Sequence, residues 1–152
     1  MSKPGECSIV TVERQITAVV KAVVPMAEIP DAQRSSRRKI DAALKSLDVG
    51  PVGASCTLWR PSADGRLDME PGVVVSHAFE PVGDVVASAL PAGRVARFLL
   101  VGPFDGLPGA WQTLFAWCAK EGLKPAGINW EIYGDMSDDP TRQETWVHAL
   151  LA

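Results

Sequence analysis

The chain carries one pattern twice. The stretch Pro51-Val52-Gly53-Ala54-Ser55-Cys56-Thr57-Leu58-Trp59 matches Pro125-Ala126-Gly127-Ile128-Asn129-Trp130-Glu131-Ile132-Tyr133, with a proline, a glycine, an aliphatic residue and a terminal aromatic at the same offsets. A duplication inside 152 residues points to two similar half-units packed into one small domain, and the seam between such halves is a natural cleft. Thr57 stands against Glu131 in the alignment, so this carboxylate occurs in one copy alone. A residue that breaks the repeat is a candidate for function.

Periodicity fills in the elements on either side. Residues 12–24 alternate through Val12, Arg14, Ile16, Ala18, Val20 and Ala22, a period-two pattern that predicts a first strand. Pro25 and Pro30 break it, and Asp31 is the expected N-cap of a helix with apolar positions Ile40, Ala43, Leu44 and Leu47. Gly50-Pro51 ends that helix. A strand over 53–60, a turn at 62–65 and a strand over 67–77, with Gly72 as a bulge, complete a β-α-β-β unit. The second unit opens with a strand over 82–89 or, in the preferred reading, over 94–101. A helix over 109–121 follows, with Trp111, Leu114, Phe115 and Cys118 on one face and Gly122 as C-cap. Strands over 127–133 and 143–150, joined by an Asp138-Asp139-Pro140 turn, close it. The fold expected is α+β, a single domain over 1–152 with a first repeat at about 8–78 and a second at about 82–152, carrying a largely antiparallel sheet and two main helices.

Composition removes several function classes. A net charge of -3 gives no long-range pull toward phosphate backbones or anionic lipid, and Arg34, Arg37, Arg38 and Lys39 read as a solvated helix face. Neither direct nucleic-acid binding nor a membrane is expected. The first residues lack the apolar core of a leader, so a cytoplasmic location is the plain expectation. Cys7, Cys56 and Cys118 are odd in number and far apart, which suits reduced thiols. His77 and His148 have no ligand-spaced companions, so no metal is expected, and each reads as a surface or hydrogen-bonded residue. No cofactor loop and no serine-nucleophile elbow is present.

Glu131 can be read in two ways. Strand alternation puts Asn129, Glu131 and Tyr133 on one face and Trp130 and Ile132 on the other. With Trp130 and Ile132 packed beneath the helices, the opposite face would hold an acid beside a phenol on a concave surface. There the carboxylate would keep its proton or await a cation that offsets its desolvation. Equally, Glu131 could lie on a solvated sheet face or accept from a backbone amide, and periodicity leaves both readings open. Trp59 aligns with Tyr133, so the two would line opposite walls of the cleft and suit a flat or cationic guest, or else pack symmetrically at strand ends. Trp111 reads as helix packing.

The segments Leu90-Pro91-Ala92-Gly93-Arg94, Gly102-Pro103-Phe104-Asp105-Gly106-Leu107, Trp117 before Gly122-Leu123, and Gly127 with Trp130-Glu131-Ile132-Tyr133 resemble the GyrI-like small-molecule-binding family. Asp68-Met69-Glu70-Pro71-Gly72-Val73 matches as well, although beside Pro71-Gly72 the two acids read as shaping a bulge. The resemblance covers nearly the whole chain. It implies two repeats related by pseudo-twofold symmetry, with a central ligand cleft in which Glu131 meets cationic or polar compounds. Thr57, Trp59, Phe104, Asn129 and Tyr133 are the further ligand-binding candidates. It also implies two alternatives to simple binding or sequestration. Some stand-alone relatives hydrolyse cyclopropane-bearing genotoxins, a reaction in which Glu131 would act on the attacking water while Tyr133 donates to the developing anion. The family name derives from a member that inhibits DNA gyrase, so a protein partner is the other alternative.

Overall fold

A computed structural model describes residues 5–135 and 138–152. Residues 1–4, the start of the stretch read above for a leader, lie outside it, as do 136 and 137. The chain divides into two compact units. One comprises residues 14–90 and the other combines residues up to 13 with 91–152.

The continuous unit contains β2 (Gln15–Val20), β3 (Ala22–Val24), α1 (Ile29–Leu44), β4 (Ser55–Pro61), β5 (Leu67–Val74) and β6 (Val85–Leu90). Its antiparallel strands run in the order β4-β5-β2-β6, with β3 on β5. The second unit contains β1 (Cys7–Val12), β7 (Gly93–Val101), α2 (Leu107–Lys120), β8 (Pro125–Tyr133) and β9 (Glu144–Leu151), ordered β8-β9-β7-β1. The two orders are the same, strand for strand. By that match β7 is the counterpart of β2, so the strand at 94–101 is the repeat of the first one. β6 corresponds to β1, of which Val12 alone falls within the strand expected over 12–24.

Several local expectations change for physical reasons. The single strand expected over 12–24 is interrupted between β2 and β3, opposite Pro71. Val75 N–H reaches Ile16 and Val74 N–H reaches Ala54, so odd-numbered residues of this stretch face β2, and Pro71 has no N–H to offer it. Gly72 is no bulge, because the β4–β5 register runs unbroken through it. A Cβ there would lie 2.2 Å from the Ala18 carbonyl oxygen, which excludes any other residue. Glu70 shapes no bulge either. It is 6% exposed and accepts from Ser88 Oγ at 2.5 Å and from Arg60 Nη1 at 3.5 Å. α1 begins before Asp31, with Pro30 in its first turn, where a missing N–H costs nothing. α2 ends as expected, Gly122 adopting φ +70° while Leu123 N–H returns to Cys118 O.

Each helix covers one face of its own unit's strands. Ile40 and Ala43 of α1 join Ala18, Val20, Val73, Val75 and Val85 in one core. α2 lies over β7 and β9, burying Ala110, Trp111, Leu114 and Cys118. No helix among the described residues is long and apolar enough to cross a membrane.

Candidate functional site

Strand pairing decides which side chains share a face with Glu131. In the β8–β9 register Asn129 stands opposite Ala149, Glu131 opposite Val147 and Tyr133 opposite Thr145. The indole N–H of Trp111 donates to Glu131 Oε2 at 2.7 Å, which places α2 on this face. The arrangement with Trp130 and Ile132 beneath the helix is therefore reversed: the helix lies over the acid. Tyr133 donates its hydroxyl to Glu131 Oε1, also at 2.7 Å. Both carboxylate oxygens thus take a short, charge-assisted hydrogen bond that fixes the group's orientation.

Aromatic rings flank this carboxylate. Phe104, in the 3-10 turn before α2, meets Tyr133 edge-on with centroids 5.7 Å apart, and Trp111 stacks on Phe115 at 5.5 Å. The partly buried Glu131 therefore sits among one phenol, one indole and nearby phenyl rings. Asn129 and Thr145 lie on the same face, 2% and 0% exposed, and Asn129 Oδ1 and Thr145 Oγ1 have no hydrogen-bond partner among the described residues.

Sequence reasoning had brought Glu131, Tyr133, Asn129 and Phe104 forward, and they share one unit and one neighbourhood. Thr57 and Trp59 belong to the other unit, on β4. Thr57 Oγ1 accepts from Gln33 Nε2 at 2.9 Å and from Arg37 Nη2 at 3.2 Å. Arg37 also donates to Gly72 O and Cys56 O, so it leaves the solvated face on which Arg34, Arg38 and Lys39 remain.

Two residues were missed. Trp111 read as packing only, although a buried indole needs an acceptor for its single N–H, and the lone acid of the repeat was the obvious one. Thr145 gave no signal until the register put it beside Tyr133.

On the opposite face of β8 and β9, Trp130 and His148 stack at 5.4 Å and Arg97 lies 4.4 Å from the Trp146 ring. Of the two readings of His148, surface or hydrogen-bonded, the second holds: the ring is buried and hydrogen-bonds to the Trp146 and Trp130 backbones. Burial first, and then the Arg97 charge, push its pKa down to about 4, so the ring is neutral near pH 7. Burial raises all three thiols, Cys56 to about 12, so none is an activated nucleophile. Among the described residues no group of three metal-ligating side chains is assembled.

Comparisons with known proteins agree with this architecture. The structure is similar to the EcmrR C-terminal domain, with TM-score 0.76 and 16% identity over 97% of each chain. It is also similar to SAV2435 bound to tetraphenylphosphonium, with TM-score 0.72 and 13% identity over 97% of this chain and 94% of that one. A hydrolase encoded by lin2189 from Listeria innocua gives TM-score 0.64 and 14% identity over 98% and 93%. At such identities the likeness concerns the fold. No curated protein matches the sequence. The family model for the GyrI-like small molecule binding domain matches residues 5–150, and the chain accordingly belongs to that family.

Proposed function

We propose that this protein binds, and by binding sequesters, an apolar cationic small molecule against Glu131. The observation that carries the reading is the carboxylate held at both oxygens by neutral donors, Trp111 and Tyr133, with Phe104 against the phenol. Neutral donors orient the carboxylate without bringing a charge of their own, and a guest cation beside it would meet that charge directly. The solved relative bound to tetraphenylphosphonium supports the same ligand class.

The test uses one aromatic body with and without charge. Calorimetric titration with 2-naphthylmethylammonium should show an affinity loss on the order of 10–100-fold in Glu131→Gln, the scale of a charged hydrogen bond, with 2-naphthalenemethanol nearly unaffected. Equal losses for both compounds, or none for the cation, would remove the reading.

Hydrolysis of a strained electrophile is the second reading, favoured by the direct Tyr133–Glu131 contact and by the likeness to a hydrolase. Glu131 would take a proton from water as its oxygen attacks the ring carbon; the ring C–C bond would break with its electron pair leaving as an anion stabilised by the Tyr133 hydroxyl, and the proton on Glu131 would then neutralise that anion. That hydroxyl is committed to Glu131, so the step requires it to rotate away, whereas binding requires no rearrangement. Mass spectrometry for addition of one water to a cyclopropane-bearing alkylator separates the two. Turnover abolished by Glu131→Gln supports hydrolysis, and stoichiometric binding without a water adduct supports sequestration.

A further inference from the structure

We infer that the Glu131 site selects cations that keep N–H groups, such as protonated amines, amidines and guanidines, over quaternary ammonium or phosphonium ions of similar size. The inference rests on the reading of Glu131 as the ligand's counter-charge and narrows it.

Its first support is a strip of oxygen acceptors. Asn129 precedes Glu131 by one period of the pleat, about 7 Å along the strand, and Thr145 faces Tyr133 across the ladder with Cβ atoms about 5 Å apart. Asn129 Oδ1 and Thr145 Oγ1 are buried and have no hydrogen-bond partner among the described residues, while Glu131 and Tyr133 lie between them on the same face. A quaternary cation presents only methyl or aryl C–H to such a strip and would seal the two oxygens away from any donor. An ammonium or amidinium has N–H groups to spare after meeting the carboxylate.

The second support comes from the other unit, where the chain supplies its own occupant. Thr57 holds the position of Glu131, and there an Arg37 guanidinium delivers N–H groups to Thr57 Oγ1, Cys56 O and Gly72 O, with the Gln33 amide on Thr57 as well. The acceptors of that unit are met by an N–H cation. Its counterpart carries Phe115 where the helix of the first unit carries Arg37, a ring with no N–H to deliver.

The experiment compares 2-naphthylmethylammonium with (2-naphthylmethyl)trimethylammonium by calorimetry. The wild type should bind the primary ammonium tighter by on the order of tenfold, the cost of leaving one buried acceptor unmet. Asn129→Leu combined with Thr145→Val should bring the ratio near one, chiefly by weakening the primary ammonium. A wild-type ratio near one or reversed overturns the inference, even with Glu131→Gln still weakening binding of both cations, a result that leaves the sequestering function standing. A tenfold preference that survives in a double variant with a native near-ultraviolet circular dichroism spectrum also overturns it. Should the double variant fail to fold, the nearly isosteric Thr145→Val decides by the same ratio, against the inference if the preference is unchanged. A wild type that binds neither cation overturns the sequestering function and the inference with it.

Discussion

The two units dress one strand order with different side chains. In each, a 3-10 turn leads into a helix with proline at its second position, and the fifth residue of that helix, Gln33 or Trp111, donates to the strand residue below, Thr57 or Glu131. The ninth residue is Arg37 in one unit and Phe115 in the other. In the 14–90 unit the donors and acceptors satisfy one another, and the position is closed by the chain's own guanidinium. In the other, the acceptor has become an acid, the donor an indole and the guanidinium a phenyl ring. The backbone is kept in both units while the side chains at three matched positions differ in chemistry.

Acid should separate the units most sharply. The register that matches Thr57 with Glu131 matches Gly72 with His148, so only one unit carries a titrating group at that position. A folded-state pKa near 4 against an ordinary 6.5 means that the unfolded chain binds the extra proton between those values. Stability from this residue is complete above pH 6.5 and is lost as pH falls toward 4, by on the order of 3 kcal/mol at most. Urea unfolding at pH 7 and pH 4.5 should show a visibly smaller loss in His148→Gln, and an identical pH slope would break this part of the comparison.

Arg37→Ala should follow, costing about 2 kcal/mol, because it strips a charged donor from three acceptors at once. Urea midpoints measure it, and a cost below about 0.5 kcal/mol, the range of an ordinary surface change, would mean that the self-satisfied network contributes little. The matched helix positions give the finest test. Trp111→Phe removes a donor to a carboxylate and should cost about 1.5 kcal/mol, whereas Gln33→Leu should cost about 0.5 kcal/mol, since Arg37 still serves Thr57. Equal costs would show that acid and hydroxyl are supported alike.

Much of this was legible because the repeat lies in backbone-determining residues. Prolines and glycines at fixed offsets located β4 and β8, and the alignment set Thr57 against Glu131 and Trp59 against Tyr133, as the ladders do. The matched helix positions went unseen because Gln33 and Trp111 share no chemistry. A signal existed nevertheless, for Pro25 and Pro30 recur as Pro103 and Pro108 with the same spacing. β1 was illegible since its partner is remote in the chain, Cys7 pairing with Phe98, and an edge strand buries too little to alternate strongly. The break at Lys21 depended on a proline in another strand, and the burial of His148 on a ring from β8, neither of which local pattern can report.

The sharing of β1 with residues beyond 90 has a consequence for the order of events during synthesis. Residues 14–90 form an uninterrupted unit that can close while the remainder is still being made. β1 emerges earlier than all of it, yet its hydrogen-bonding partner appears only after that unit is complete, several seconds later at about 5–20 residues per second. Until then the first strand is an unpaired edge, and afterwards it caps the open side of β7. The unit that contains Glu131 is thus drawn from both sides of the 14–90 unit, so its candidate site is assembled after that unit can already have closed.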